Sequence, residues 1–384
     1  MPIRPTEAVV DLAAIAHNYR AAVQAGGRPA IGVVKADAYG HGAVPVARAL
    51  LRAGAPMLAV ALVEEGLELR EAGVATPVLV LGGAYGDAYD LLVRHRLTPV
   101  VFSAEHVARL AAAARAQGAR ASAHVKLDTG MGRVGVAAGE LPAFAEAVRG
   151  APEVALDGVC THFASADIED REVTERQVRR FDEMTQELER AGIRIRTRHL
   201  ANSAGALEFP GVPQDLTRPG IMLYGYLPFD PGVPVSPATR AVGGRLRRAL
   251  TFRTAITHLK SVPPGTPISY GGRWIAPRAS RIATLPVGYA DGYSRRLSGR
   301  PDLGRAEVLV RGRRAPVAGT VCMDMILVDV TEVPGAAVGD EVILVGEQAG
   351  AAIGADELAE KAGTISYEIL CGISRRVPRR YAGE

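Results

Sequence analysis

Eight short apolar runs alternate with amphipathic stretches between about residue 9 and residue 230, and this alternation limits the folds that the chain can adopt. The stretches between the runs repeat apolar residues at helical spacing, as Leu12, Ile15 and Tyr19 do. The runs are AIGVV (30–34), LAVALV (58–63), PVLVLG (77–82), TPVVF (98–102), AHVKL (123–127), LDGVC (156–160), RHLA (198–201) and a weaker run at 215–218. This order predicts an α/β fold, a (β/α)8 TIM-type barrel; a doubly wound open sheet remains the alternative, because periodicity does not reveal closure.

The pattern changes after Pro237, where strand-like runs are separated by glycine, proline and aspartate turns. The runs are ALTFRTAITHL (249–259), RIATLPVGYA (281–290), AEVLVRG (306–312), MILVDVTEV (325–333) and EVILVGE (341–347), with one helical stretch near 356–363. They predict a C-terminal, mainly antiparallel β domain. We therefore expect a barrel over 9–236 and a β domain over 237–384 joined by residues 1–8, with the linker at 227–237.

Composition excludes several classes of protein. A chain of 384 residues with 48% apolar and 22% charged residues is long enough for two globular domains. A net charge of +4 without a block of like charges argues against nucleic-acid binding. Three cysteines without C-x-x-C spacing argue against disulfides and against a metal site, and no segment resembles a signal peptide or a membrane span. We expect a cytoplasmic protein.

Polar clusters directly follow the apolar runs of the first half, at positions that become one rim if the barrel closes. The first run ends in VVKADAYGHG, where Lys35 closes a strand. A lysine in such a dry place has a lowered pKa and is nucleophilic. Only four of the 45 basic residues are lysines, which suggests that an amine is needed here, although codon bias or a surface position explains Lys35 equally well.

The fifth run ends in KLDTGMGRVG (126–135), which contains two misleading motifs. The D-T-G triplet occurs in aspartic proteases, but no second carboxylate loop accompanies it. The spacing of Gly130, Gly132 and Gly135 is that of a dinucleotide-binding loop. However, the motif lies in the middle of the chain, and Arg133 occupies the loop where a pyrophosphate would approach.

The last three runs end in residues that suit an anion. His162 follows the sixth run, Asn202 and Ser203 follow the seventh, and Gly220 and Ile221 begin a short helix-like stretch after the eighth. Barrels often hold a phosphate between the loops after strands seven and eight. A lysine across the rim from such a phosphate cup indicates pyridoxal phosphate, which needs both an amine and a phosphate anchor.

Arg218 refines this chemistry, although a solvated loop charge is the alternative interpretation. If Arg218 faces the pyridine nitrogen of the cofactor, its very high pKa keeps the ring nitrogen unprotonated. The cofactor is then a weaker electron sink, which disfavours transamination and suits a racemase.

The chain as a whole resembles the bacterial alanine racemase family. The motifs that carry the resemblance are VVKADAYGHG, KLDTGMGR, THFASAD, ANSAG, RPGIMLYG, GYADGYSRR, GTVCMDM and TISYEIL, in the family's order. The resemblance implies a pyridoxal-phosphate enzyme that forms a head-to-tail homodimer and supplies D-alanine for peptidoglycan.

By this resemblance, Lys35 is the Schiff-base lysine and one of two bases. Tyr270, in ISYGG, is similar to the base on the opposite face, which the partner subunit supplies. Two bases on opposite faces are what racemisation through a planar carbanion requires. Arg218 is similar to the partner of the pyridine nitrogen, His162 to the residue that links Arg218 with Tyr270, and Arg133 to the group at the phenolic oxygen and the substrate carboxylate.

The other positions implied by the resemblance form three groups. They are the phosphate cup Tyr39, Ser203, Gly220, Ile221 and Tyr367; the substrate-pocket residues Met323 and Asp324; and the entry gate Tyr289, Arg295, Ile365 and Tyr367. Lys126 lies where some family members carry a carbamylated lysine.

Four alternatives remain at this point. A barrel-type pyridoxal-phosphate decarboxylase generally has a carboxylate at the ring nitrogen, which Arg218 contradicts. A racemase for serine or basic amino acids is less favoured by bulky tyrosine and methionine at the pocket positions. A non-catalytic pyridoxal-phosphate carrier lacks a β domain, and a nicotinamide-dependent dehydrogenase rests on the glycine loop alone.

Overall fold

The computed structural model describes residues 3–299 and 306–383 and divides the chain into two compact units. The barrel unit comprises Ala14–Ala38 and Ala43–Arg247. The β unit comprises the segment up to Ala13, the short segment Tyr39–Gly42 and the chain from Arg248 onward. Residues 1–2, 300–305 and 384 of the predicted β domain lie outside the described residues.

The secondary structure follows the predicted alternation through the first half of the chain. The strands are β1 Glu7–Asp11, β2 Gly32–Val33, β3 Leu58–Val60, β4 Val78–Val80, β5 Thr98–Val101, β6 Ala121–Lys126, β7 Val154–Cys160, β8 Thr197–His199, β9 Leu250–Ala255, β10 His258–Val262, β11 Pro267–Ile268, β12 Trp274–Ile275, β13 Ser280–Leu285, β14 Glu307–Val310, β15 Arg313–Pro316, β16 Ile326–Asp329, β17 Glu341–Gln348, β18 Ala351–Ile353 and β19 Arg379–Ala382. The helices are α1 Leu12–Gly26, α2 Lys35–Gly40, α3 Ala43–Arg52, α4 Val63–Glu71, α5 Tyr89–Arg94, α6 Ala104–Ala116, α7 Leu141–Arg149, α8 Glu172–Arg190, α9 Ser203–Glu208, α10 Pro237–Gly243, α11 Ala355–Ala362 and α12 Ser366–Cys371.

The sheet of the barrel unit is parallel and runs in the order β2-β3-β4-β5-β6-β7-β8. Its eighth strand is reduced to an isolated parallel bridge between Ala30 and Thr217. Across this bridge Ile31 N donates to Thr217 O (2.8 Å) and Thr217 N donates to Pro29 O (3.1 Å). The weak run at 215–218 therefore closes the barrel, which confirms the predicted fold class and excludes the open sheet.

The helices of the barrel unit bury one apolar stripe each. In α3 the buried residues Ala43, Val46, Ala47 and Leu50 follow the i, i+3, i+4, i+7 spacing of a helix face. Helix α1 is also held by a buried polar residue. Asn18 donates to Leu223 O (3.1 Å) and Arg247 O (2.7 Å) and accepts from Arg247 N (2.8 Å). These bonds keep residues up to Arg247 with the barrel unit, eleven residues beyond the expected boundary at 236.

The β unit is mainly antiparallel. Its larger sheet has the order β15-β14-β17-β9-β1-β19 with β18 on β17, and β10-β13-β16 and β11-β12 form smaller sheets. Strand β1 was not predicted: it pairs antiparallel with β9, as Ala8 with Phe252, and parallel with β19, as Ala8 with Arg379. Residues 9–13, expected in the barrel, thus belong to the β unit; residues 9–11 lie in β1, and residues 12–13 begin α1.

The run at 249–259 forms two strands rather than one. Between them Ile256 N donates to Asp340 O (3.0 Å) and Thr257 N donates to Thr284 O (3.0 Å). The chain therefore passes from the sheet of β9 to the sheet of β10 within two residues.

Across the described residues, no helix is both long and apolar enough to cross a membrane.

Candidate active site

The turn that begins at Lys35 is left-handed. The φ angles of Ala36, Asp37, Ala38 and Tyr39 lie between +52° and +55°, and Gly40 follows at +79°. L-residues avoid this region at a cost of roughly 1–2 kcal/mol each, and it is normally visited by single residues. Four consecutive non-glycine residues in this conformation therefore mark a backbone that its surroundings must hold.

Glu65 holds the start of this turn. One oxygen of its carboxylate accepts from Ala36 N, and the other accepts from Ala61 N (2.7 Å) and Leu62 N (3.0 Å). The residue next to Lys35 is thereby tied to the beginning of α4. Sequence reasoning missed Glu65, although a glutamate at the third position of a helix is the recognisable partner of a capping box.

The loop that carries Arg133 is folded around one carboxylate. Asp128 Oδ1 accepts from Gly130 N (3.1 Å) and Gly132 N (3.0 Å). Burial alone would raise the pKa of Asp128, but these amides and the nearby Lys126 hold it below its usual value. The amides of Gly130 and Gly132 are already bonded within the loop, so they are not free for a pyrophosphate and the dinucleotide interpretation fails on geometry. Arg133 is exposed on this loop.

Arg218 is 6% exposed and its guanidinium is bonded to neutral acceptors. Nη1 donates to His199 Nδ1 (2.8 Å) and His199 O, and Nη2 donates to Thr161 O (2.6 Å), Leu200 O (2.9 Å) and His162 Nδ1 (3.4 Å). The carbonyl ends of β7 and β8 are thus turned toward one cation. Burial lowers the pKa of Arg218, which as a guanidinium remains charged.

Positive charges gather around His162 in the barrel unit. Burial lowers its pKa well below the usual value, and four neighbouring cations lower it further: Arg218, Arg133, Lys126 and Lys35. Lys126, which is 6% exposed at the end of β6, has a pKa lowered by burial and by the two arginines. The structure thus brings these five predicted residues together in a strongly electropositive site, suited to anionic groups.

The predicted phosphate-cup residues of the barrel unit also lie together. Ser203 Oγ accepts from Gly220 N (2.9 Å), which joins the start of α9 to the 3-10 turn Ile221–Tyr224. Asn202 caps α9 by accepting from Gly205 N (2.9 Å). Asn202 therefore has a structural task that its prediction as a cofactor residue did not include.

In the β unit, Tyr39 and Tyr367 form a ring pair with centroids 5.9 Å apart. Burial raises the pKa of the Tyr39 phenol, with smaller contributions from Tyr367 and Cys371. Arg379 joins the segment that carries Tyr39 to the helix that carries Tyr367. Its Nε and Nη2 donate to Gly40 O (3.1 and 3.0 Å), and it also donates to Ile373 O near the end of α12.

The segment 320–324 organises the remaining predicted residues of the β unit. Ser269 Oγ donates to Thr320 O (2.7 Å) and Thr320 Oγ1 donates to Tyr270 O (3.0 Å). These bonds hold Ser269 at φ +64°, a left-handed value for a non-glycine residue. They present the Tyr270 side chain at 72% exposure.

The same segment gathers the gate residues. Tyr289 N donates to Cys322 O (3.0 Å), and Ser298 accepts from Val321 N (3.0 Å) while donating to Arg295 O (2.6 Å). Met323 and Asp324 are part of the segment itself. The β unit therefore brings together five of the predicted residues, Tyr270, Tyr289, Arg295, Met323 and Asp324. Ile365 is half exposed and immediately precedes α12, which carries Tyr367.

Sequence reasoning also missed Gln177. From a buried position in α8, its Nε2 donates to Thr129 Oγ1 (3.1 Å) and His162 O (3.0 Å), and its Oε1 accepts from Ala164 N (2.9 Å). The loops after β6 and β7 are thereby held to one side chain. A glutamine in the apolar stripe of an amphipathic helix was the signal that could have revealed it.

Lysine and arginine side chains at the carboxyl rim of a (β/α)8 barrel define a class of enzymes that bind small anionic molecules at this rim. Comparison with protein-family models narrows the class. The model described as "Alanine racemase, N-terminal domain" matches residues 10–228, and "Alanine racemase, C-terminal domain" matches residues 249–381. The chain belongs to the alanine racemase family.

Alanine racemases of other organisms are similar to this chain over nearly its full length. The alanine racemase of Halothermothrix orenii is 46% identical over 98% of this chain and 97% of its own, and that of Sorangium cellulosum is 45% identical over 99% of both. Among solved structures, the alanine racemase of Streptomyces coelicolor A3(2) superposes with a TM-score of 0.92 at 36% identity, covering 100% of this chain and 99% of that one. The Bacillus anthracis alanine racemase with bound L-Ala-P gives 0.89 at 36% identity, covering 100% and 97%.

The left-handed turn predicts an unusual response to glycine. Ala36→Gly removes a steric cost of about 1–2 kcal/mol and adds about 0.5–1 kcal/mol of backbone entropy, so we expect a stabilisation of about 0.5 kcal/mol in urea unfolding. The matched control is Ala112→Gly, at an exposed position in the right-handed helix α6, which should destabilise by about 1 kcal/mol. Destabilisation of similar size by both substitutions would contradict strain at Ala36.

Proposed function

We propose that this chain is an alanine racemase that interconverts L-alanine and D-alanine with pyridoxal 5'-phosphate attached to Lys35. The observation that carries the proposal is the gathering of Lys35, Lys126, Arg133, His162 and Arg218 in one electropositive site at the barrel rim. When bound, the cofactor withdraws electrons from the α-carbon of the amino acid, so that the α-proton becomes acidic.

The residues of the barrel unit fit this cofactor. Ser203 Oγ and the amide of Ile221 would hold the phosphate, and Gly220, whose amide donates to Ser203 Oγ, would position that hydroxyl. Arg218 Nε has no hydrogen-bond partner among the described residues, since the guanidinium donates to them through Nη1 and Nη2. That N–H would face the pyridine nitrogen and leave it unprotonated, which limits side reactions.

Two residues would move the proton. Lys35 takes or returns it on one face of the α-carbon, and Tyr270 of the partner subunit does so on the other. His162 would link Arg218 with that tyrosine, and Arg133 would bind the substrate carboxylate. Bulky Met323 beside Asp324 would leave room for the methyl side chain of alanine and less for serine or basic side chains.

A homodimer is part of this proposal. Large apolar side chains of the β unit are exposed, and the set includes predicted site residues: Tyr270, Tyr289, Met323 and Ile365. Exposed apolar side chains that coincide with site residues indicate a surface that a second subunit covers. A two-fold dimer would place this surface over the barrel of its partner and form two shared sites.

Racemisation of L-alanine, followed by optical rotation, tests the activity directly. We expect the purified protein to racemise alanine faster than serine or lysine, and borohydride to fix the cofactor covalently at Lys35. Lys35→Ala should abolish racemisation and covalent labelling, because no other amine occupies that strand end, while Lys260→Ala in the β unit should leave both intact. A native protein without racemisation of alanine would refute the proposal.

Subunit mixing tests whether sites are shared. Lys35→Ala and Tyr270→Phe should each be inactive alone, because each removes one base. Mixed after dissociation, half of the dimers are hybrids, and each hybrid has one intact site, so about a quarter of native activity should return. Mixtures that stay inactive, while dimer exchange is verified by labelled subunits, would show that each chain builds its own site.

Lys126 suits carbamylation. Burial and the neighbouring Arg133 and Arg218 lower the pKa of its amine, which favours the neutral, nucleophilic form relative to an exposed lysine. Attack of the amine on carbon dioxide forms an N–C bond and releases one proton, which leaves a carbamate anion. An anion between Arg133 and Arg218 would replace charge repulsion with attraction and orient Arg133.

Lys126→Ala should therefore weaken activity, chiefly by raising the KM for alanine through a misoriented Arg133. Added formate or acetate should restore part of the activity, because a small carboxylate can occupy the space of the carbamate. Unchanged kinetics, or a defect that no carboxylate relieves, would contradict the modification.

A further inference from the structure

Behind Arg218 lies a pair of buried histidines to which the proposed function assigns no role. His199 is 0% exposed and His124 is 2% exposed. His199 Nδ1 is 2.8 Å from Arg218 Nη1, and His199 Nε2 is 2.7 Å from His124 Nδ1. The three side chains form an unbroken chain of hydrogen bonds into the barrel interior.

The direction of these bonds follows from the chemistry of the groups. A guanidinium only donates, so Nδ1 of His199 accepts and its proton is on Nε2. His199 Nε2 then donates to His124 Nδ1, which leaves the proton of His124 on Nε2. Both rings are neutral in this arrangement: burial, Arg218 and His124 lower the pKa of His199 well below its usual value, and burial lowers that of His124 to about 4.

The fold makes room for the inner ring. His124 lies on β6 and His199 on β8, and alternate strands of a barrel contribute side chains to one interior layer. Between them on β7 is Gly158, where a Cβ would lie 2.5 Å from His124 Nδ1. Gly158 does not have a positive φ, so its backbone admits any residue. The absence of a side chain at Gly158 therefore leaves room for the His124 ring.

We propose that His124 and His199 are positioning residues that hold Arg218 in the orientation in which its remaining N–H meets the ring nitrogen of the cofactor. The proposal rests on the proposed function at Arg218. His124 accepts from His199 and so fixes the tautomer in which His199 presents a lone pair to Arg218. Without that acceptor, His199 can carry its proton on Nδ1, where it opposes the N–H of Arg218 and displaces the guanidinium.

Cofactor binding to the apoprotein tests this without measuring activity. The two probes are pyridoxal phosphate and its deaza analogue, in which C–H replaces the ring nitrogen, and the quantity is the ratio of their dissociation constants. Native protein should prefer pyridoxal phosphate about tenfold, the size expected for one charge-assisted hydrogen bond. His124→Phe, which keeps a ring but removes the acceptor, should bring the ratio near one by weakening pyridoxal phosphate alone.

Two further variants and a matched control keep the result interpretable. In His124→Asn the amide oxygen can take the place of Nδ1, so the native ratio should return. Gly158→Ala leaves both histidines present but displaces the ring, and it should reproduce His124→Phe even if that variant does not fold. His106→Phe, a histidine ring packed against Phe102 elsewhere in the barrel unit, is the matched control and should keep the native ratio.

The outcomes separate the two proposals. Equal weakening of both probes in His124→Phe and Gly158→Ala, which leaves the ratio unchanged, would show a merely structural role, and unchanged dissociation constants for both probes would show no role; either result overturns the positioning role alone. Native protein that binds pyridoxal phosphate no better than its deaza analogue would overturn the assignment of Arg218, and the positioning role with it.

Discussion

The barrel rim is arranged around one constraint: the buried guanidinium of Arg218, which pairs with no carboxylate of the described residues. Burying an unpaired charge is costly unless its donors are satisfied, and Arg218 meets this requirement with the carbonyls of Thr161, His199 and Leu200 and the ring of His199. Neutral acceptors leave the net positive charge of the site intact. The loops after β7 and β8 therefore converge on the guanidinium of Arg218. Lys35, Lys126 and Arg133 add to its positive potential, which a bound anion would balance.

The β unit follows a different principle. Its predicted residues lie on separate turns, and the segment 320–324 collects them through hydrogen bonds to Tyr270 O, Tyr289 N and Ser298 Oγ, each of which has a main-chain atom at one end or both. Because these bonds involve main-chain atoms, the side chains are placed without being buried. The result is a preformed but exposed group of side chains, which suits residues that act on a neighbouring subunit.

Periodicity predicted the barrel well because most residues of the apolar runs are buried, and even the weak run at 215–218 proved to be the closing strand. It failed where tertiary contacts override local preference. Ala36 and Ala38 are strong formers of right-handed helix, yet contacts such as that from Glu65 hold this turn left-handed. Strand β1 was missed because five residues leading directly into α1 carry no turn signal.

The candidate site shows the same division. Residues proposed to contact a cofactor or substrate could be named from motifs, many of which follow strands, whereas residues that hold other residues in place could not. His124 and His199 were counted within apolar runs, and nothing local distinguishes a histidine that directs an arginine from one that fills a core. The role of Gly158 could not be predicted from the sequence either, because it depends on the His124 ring of the neighbouring strand β6.

The pairing of β1 has a consequence for synthesis on the ribosome. Ala8 and Val10 are fully buried, and β1 lies between β9 and β19, the latter at the far end of the chain. The strand emerges about 240 residues before β9, an interval of roughly 10–50 s at ordinary rates of translation. During that interval it is an unpaired apolar segment attached to a folding barrel. The brevity of β1 and the charges at both its ends, Glu7 and Asp11, limit its capacity to pair with other nascent chains while it waits.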